Sequence, residues 1–128
     1  MPGGAKASTI PAERLAAYER AVATLPGVER KGATVPYTSV NGHMFSYLSP
    51  TGTLALRLAP ADREAFIERF RTGLHEAYGI VQKEYVDVPP WLLDATDELA
   101  PWFAASVAYV GGLRPKPTRK PKRTDAPD

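Results

Sequence analysis

The stretch VNGHMFSYLSPTGTLALRL, residues 40–58, decides the fold because it holds two turns between strand-like runs. Asn41-Gly42 is typical of a two-residue hairpin, since both residue types tolerate positive φ. The segment 49–52 provides a second tight connection through proline and glycine. In the run TLALRL, leucines alternate with Ala55 and Arg57, which predicts one apolar face and one outer face. With TVPYTSV before it, the stretch predicts a three-stranded meander.

Helical patterns flank this meander. Apolar residues recur at helical spacing over 11–25, and Pro26-Gly27 ends that helix. A second helix is predicted over 60–71, with Gly73 as its C-cap. A last helix is predicted over about 97–110, with Asp94 or Asp97 as a possible N-cap and Pro101 in or near its first turn.

A strand is predicted over about 81–88, with Val86 and Val88 opposed to Tyr85 and Asp87. The segment before it reads as a loop containing His75, with a short strand near 74–78 as the alternative. The order α-β-β-β-α-β(β)-α predicts an α+β fold, a small and mostly antiparallel sheet with helices on one face. Five aromatic residues at helical spacing or beside a proline are predicted to lie in the core: Phe66, Phe70, Trp91, Trp102 and Phe103.

Length and composition predict one domain, since 128 residues with 44% hydrophobic content can form a modest core. The absence of cysteine excludes disulfides and thiolate chemistry. No apolar run approaches the roughly 18–20 residues needed to cross a bilayer, and the charged N-terminus lacks the apolar run of a secretory signal. We therefore expect a cytoplasmic protein with no membrane partner.

Charge divides the chain into a body and a tail. Residues 114–128 hold six of the sixteen Lys and Arg and two of the fourteen Asp and Glu, a net charge of +4, so the preceding 113 residues carry −2. We expect a disordered N-terminus at 1–8, a domain at 9–113 and a disordered, basic, proline-rich tail at 114–128. Weak nonspecific contact with nucleic acid or an acidic partner would use the tail cations, Arg114, Lys116, Arg119, Lys120, Lys122 and Arg123.

Several short motifs occur together in one order: Asn-Gly-x-Met-Phe at 41–45, Leu-x-Leu-Arg-Leu at 54–58, Asp-Arg-Glu at 62–64, Tyr-Val-x-Val-Pro at 85–89, and Trp102 in the closing helix. In this order and spacing the chain resembles the N-terminal domain of the TfoX/Sxy family over about residues 30–112. The resemblance implies a secretion-chaperone-like α+β fold of order α-β-β-β-α-β-β-α. It also implies a regulatory role, because founding members regulate natural competence with the bacterial transcription machinery.

The chain departs from that family in two places. KGATVPYTSV stands where many members carry Met-Phe-Gly-Gly, and the helical second domain of the competence regulators has no counterpart in this sequence. The chain therefore resembles a small stand-alone member. The family supplies no catalytic residue to carry over.

The outer face of the predicted sheet is the main candidate site. Arg57 interrupts an apolar strand. Tyr85 and Asp87 are expected to share its face, as are Phe45 and Tyr47 if their strand is in phase. Arginine and tyrosine are enriched at the centres of protein interfaces, so this face is a candidate surface for a protein partner or a second copy of the chain. The alternative is that Arg57 pairs with Asp87 or Glu84 on a solvated face.

Neither histidine predicts a catalytic or metal site. His43 reads as an exposed hairpin residue, and no nucleophile or metal-ligand motif accompanies either imidazole. We therefore predict no catalytic residue, metal or cofactor, and interpret the protein as a non-enzymatic binding or regulatory module. One alternative is an accessory factor that contacts nucleic acid through the tail, and another is a small-ligand-binding or enzymatic domain.

Overall fold

The computed structural model describes residues 10–32, 34–77 and 79–113. Its elements follow one another in the predicted order with one short additional helix, Pro90–Asp94, before the last helix, and the α+β fold class is confirmed. The predicted short strand near 74–78 is present, so the interpretation of His75 as a loop residue is wrong. The elements are α1 (Ala12–Val22), β1 (Tyr37–Val40), β2 (His43–Leu48), β3 (Leu54–Arg57), α2 (Pro60–Phe70), β4 (Leu74–Ala77), β5 (Ile80–Val88), α3 (Pro90–Asp94) and α4 (Thr96–Gly111).

The five strands form one antiparallel sheet in the order β1-β2-β3-β5-β4. The first three strands are the predicted meander, and Asn41-Gly42 has positive φ at both residues, as a two-residue hairpin requires. Strand β5 inserts between β3 and β4, which leaves β1 and β4 at the two edges. Strand β4 is therefore an edge strand, paired on one side only with β5.

The helices cover one face of the sheet and enclose the core. Helix α4 packs on β1, β2 and β3, helix α2 packs on β5, and α1 packs against α3 and α4. Leu54 and Leu56 are fully buried beneath the helices, as the alternation predicts. A buried hydrogen bond of 2.7 Å joins the Tyr18 and Ser46 hydroxyls, so the polar group that α1 carries into this layer has a partner.

A β-bulge in β2 overturns the predicted direction of Phe45. Thr38 pairs with Ser46 and Ser39 pairs with Met44, so Phe45 is an extra residue between two pairs. Phe45 therefore points towards the helices, where its ring packs edge-on against Phe103 at a centroid distance of 6.2 Å. The residue belongs to the core and not to the outer face.

Three further expectations are wrong. Helix α2 ends at Phe70, and its C-cap is Arg71, in the left-handed conformation with φ 55°, and not Gly73. Helix α4 begins at Thr96 after Ala95, so neither Asp94 nor Asp97 caps it through its side chain, and Pro101 lies inside the helix. Trp91 is 54% exposed. It lies in the first turn of the short helix α3, with its ring tilted against that of Phe70 at a centroid distance of 5.8 Å.

Candidate functional site on the outer sheet face

The strand register brings together the residues that the sequence places on the outer face. Tyr47 lies opposite Ala55, which in turn lies opposite Asp87. Arg57 lies opposite Tyr85 one pair further along the same two strands. All four predicted contact residues thus occupy one surface, on the side of the sheet away from the buried leucines.

Arg57 is bound within the chain and only 19% of its side chain is exposed. Its Nε donates to Oε1 of Glu84 at 2.6 Å, and one of its terminal nitrogens lies 3.4 Å from the Met44 carbonyl oxygen. Of the two carboxylates considered from the sequence, Glu84 and not Asp87 is the partner. The guanidinium is therefore a bracing group that links β2, β3 and β5.

The same carbonyl oxygen of Met44 accepts a hydrogen bond of 2.9 Å from the Tyr85 hydroxyl. Burial raises the pKa of Tyr85 to about 12, although the nearby Arg57 guanidinium acts in the opposite direction. Tyr85 is consequently a neutral hydrogen-bond donor at physiological pH. Tyr85 and Arg57 thus both bond to the Met44 carbonyl oxygen at one end of the outer face.

A row of rings crosses the middle of the outer face. Tyr85 stacks on Tyr47 with centroids 5.8 Å apart and planes 14° apart, and Tyr47 meets His75 edge-on at 5.3 Å. His75 is only 6% exposed, and its Nδ1 donates to Oδ1 of Asp87 at 2.6 Å. These side chains explain why Ala55, between Tyr47 and Asp87 on the same face, is fully buried.

A groove of about 440 Å³ lies beside this row. Its lining includes Tyr47, His75 and Asp87 from this row, together with the exposed apolar residues Val35 and Leu74. The turn between β2 and β3 adds hydroxyl groups. The complete lining is Val35, Tyr47, Ser49, Pro50, Thr51, Thr53, Leu74, His75, Glu76, Ala77 and Asp87.

The groove carries negative charge. Glu76 and Asp87 line it, and its lining contains no lysine or arginine. The Asp87 side chain remains 41% exposed although one oxygen accepts from His75. Glu76 is exposed on the edge strand β4. The site therefore favours an apolar group next to a cation.

The hydroxyl groups of the turn bond to one another. Ser49 Oγ and Thr51 Oγ1 are 3.0 Å apart, and the Thr53 amide donates to Ser49 Oγ at 3.2 Å.

The His75–Asp87 pair has the composition of part of a catalytic triad, which additionally needs a nucleophile within reach of the imidazole. Within 10–32, 34–77 and 79–113, no serine or threonine hydroxyl bonds to His75.

Sequence reasoning found part of this site. It placed Tyr47, Tyr85, Arg57 and Asp87 on one face, and it missed His75 and the groove. The chain separates His75 from Asp87 by twelve positions, and only the pairing of β4 with β5 brings them together. His43 lies half-buried at the start of β2 and does not line the groove.

The six tail cations named above lie outside the described residues. The described part of the chain holds nine Lys and Arg against twelve Asp and Glu, a net charge of −3. It contains no group of three or more side chains suited to a metal ion and no helix long and apolar enough to cross a membrane.

No protein-family model matches this chain, and comparisons with curated proteins and with solved structures found no match.

Proposed function

We propose that this protein is a non-enzymatic binding module that receives a protein partner in the groove on the outer face of its sheet. The observation that carries the proposal is the groove itself, a concavity of about 440 Å³ between the edge strand β4 and the turn 49–53. Its lining includes the exposed apolar residues Val35 and Leu74. Isolated exposed apolar residues are common, but two of them lining one concavity together with aromatic groups are typical of a binding site.

The position of β4 supports an extended segment as the occupant. An edge strand has backbone N–H and C=O groups on one side that do not pair within its own sheet. A partner strand can pair with these groups while its side chains enter pockets on the face. Leu74 and Ala77 lie on β4 and also line the groove, so pairing and side-chain contact can occur at the same place.

The internal pairing of the predicted residues limits what Arg57 can contribute. The guanidinium already bonds to Glu84, and breaking that bond to meet a partner would leave a carboxylate without its cation. The contact residues are therefore Leu74, Val35 and Tyr47, with Arg57 and Tyr85 holding the face in shape. Arg57→Glu should disturb the outer face indirectly, because it removes the bond to Glu84 that holds the strands together there.

Two matched variants test the proposal by affinity capture from the native cell. Leu74→Ser removes an apolar side chain from the groove, whereas Ile80→Ser removes one from the neighbouring strand outside it. We expect specific partners to be retained by the wild type and Ile80→Ser and lost from Leu74→Ser. Equal retention by all three proteins would contradict the proposal.

Sedimentation separates a second copy from another partner. If the groove binds another molecule of the same chain, the wild type sediments as a dimer at high concentration and Leu74→Ser as a monomer. A monomeric wild type together with a captured partner assigns the groove to another protein.

The groove also suits a small ligand, because sites of about 300–1,000 Å³ with a few polar groups are typical of small-molecule binding. Screening fragments against the labelled protein by nuclear magnetic resonance tests this second function. Shifts confined to amides of Tyr47, Leu74 and His75 would support it, and absence of saturable shifts would count against it.

The family resemblance supports a regulatory role. Helix α1, the five strands with α2 among them, and the closing helix α4 follow the order that the TfoX/Sxy resemblance implies, and the short helix α3 is an addition to it. The proposal is therefore a regulatory binding module of this type. A partner from the transcription machinery in the capture experiment would support it, and partners with no regulatory role would oppose it.

A further inference from the structure

The groove and the tail of this protein have opposite charges. The lining contributes Glu76 and Asp87 without a lysine or arginine, and residues 114–128 contribute six cations against two carboxylates. Tyr47 also lines the groove and contributes apolar ring surface to it. The chemistry of the groove therefore fits a basic, extended segment.

The point at which the chain leaves the domain allows the tail to reach the groove. The Asn41 amide donates to the Gly111 carbonyl at 2.9 Å, which places the end of α4 beside the turn between β1 and β2. Strand β2 runs from that turn to the groove over the six residues His43–Leu48, about 20 Å at 3.3 Å per residue.

Eight residues of extended chain span about 25 Å. Lys122 and Arg123 follow residue 114 by eight and nine positions, so they come within range of Glu76 and Asp87. The prolines at 115, 117 and 121 favour an extended chain between the two points. A tether of this length also gives an effective concentration on the order of millimolar, so weak contacts are sufficient for occupancy.

From these observations we propose that the basic tail of this chain docks in its own groove and competes there with the external partner. The competition rests on the proposed function, whereas the docking itself does not require a partner. When the tail occupies the groove, the apparent affinity for a partner falls by the fraction of molecules in which the groove is occupied. A partner with a basic segment of its own would displace the tail.

A second acidic surface is the rival place for the tail. Asp94, Asp97 and Glu98 lie together at the junction of α3 and α4. Asp97 and Glu98 belong to the first turn of α4, where the positive end of the helix dipole offsets their charge. The groove, whose carboxylates lie on strands, has no such compensation.

Absence of cysteine makes a direct test possible, because Thr124→Cys creates a single attachment site for a spin label in the full chain. We expect paramagnetic broadening of the amide signals of Tyr47, His75 and Asp87. The broadening should decrease in 1 M salt, where the Debye length falls to about 3 Å. It should also decrease in Glu76→Lys and persist in Glu68→Lys, which makes the same change on an exposed position of α2.

Three results would overturn the docking. Broadening centred on 94–98 assigns the tail to the rival surface. Broadening unaffected by salt and by Glu76→Lys shows that charge complementarity does not place the tail. Broadening seen only when spin-labelled protein is mixed with isotope-labelled protein assigns the contact to the tail of a second copy. If docking fails while Leu74→Ser still abolishes partner capture, the proposed function stands without this regulation.

Discussion

The phenol of Tyr18 predicts a specific loss of stability at alkaline pH. Tyr18 of α1 is fully buried, its ring meets Phe103 of α4 edge-on, and its hydroxyl bonds to Ser46 at 2.7 Å. Burial raises its pKa from 10.0 to about 12, while hydrogen bonds from Ser46 and Thr38 act in the opposite direction. The folded protein therefore keeps the phenol proton at a pH where the unfolded chain has lost it.

The sign and size of the effect follow from linkage. Between pH 10 and 12 the folded state binds more protons than the unfolded state, so the free energy of unfolding decreases as the pH rises. At pH 11 an unfolded tyrosine with pKa 10 is about tenfold more ionised than a folded one with pKa 12. This ratio corresponds to a loss on the order of 1 kcal/mol from Tyr18 alone. Tyr85, whose pKa burial also raises to about 12, adds an alkaline loss of its own that Tyr18→Phe leaves in place.

Urea unfolding at pH 9 and pH 11, followed by circular dichroism, measures the difference. Tyr18→Phe should be less stable than the wild type at pH 9 by about 1 kcal/mol, the usual net contribution of a buried hydrogen bond. Between the two pH values it should lose about 1 kcal/mol less than the wild type does. Val22→Ala, on the same helix, keeps the phenol and should show the full alkaline loss. Equal alkaline losses in the wild type and Tyr18→Phe would refute the reasoning.

Two backbone positions allow further predictions. Arg71 caps α2 with φ 55°, a conformation that glycine adopts without strain. Arg71→Gly should therefore raise the free energy of unfolding, measured in urea, by about 1 kcal/mol. Arg71→Ala should give no such gain, because alanine has the same strain at positive φ. Gly32 has φ +88°, and an added Cβ would overlap the carbonyl oxygen of Val35, so Gly32→Ala should lower the melting temperature and cost about 1–3 kcal/mol. Gly79→Ala, also at positive φ but in open space, should lower it less, and equal losses would contradict the steric explanation.

The elements with local signals were predictable from the sequence. Asn41-Gly42 adopts positive φ because few other dipeptides do so at low cost, and β2 follows it over the predicted residues His43–Leu48. Leu54 and Leu56 face the core because side chains alternate along a strand. The outer position of Arg57 follows from the same alternation.

The direction of Phe45 could not be predicted in this way. Strict alternation places Phe45 and Tyr47 on one face, but the bulge opposite Thr38 and Ser39 turns Phe45 inwards. The bulge depends on how β2 pairs with β1 and on the space that Phe103 leaves for the ring. Trp91 is the opposite case, since a large aromatic residue is exposed where helix α3 is too short to bury it.

Local patterns in the sequence by themselves determined the turns, the strands, the layer of helices and the contrast between an acidic body and a basic tail. These features depend on residues close together in the chain, whose backbone preferences and spacing act locally. Only the tertiary structure decided that His75 meets Asp87, that Arg57 is paired with Glu84, and that Val35 and Leu74 face one groove. Those contacts depend on the strand order β1-β2-β3-β5-β4 and its register, which arise when the whole sheet packs against its helices.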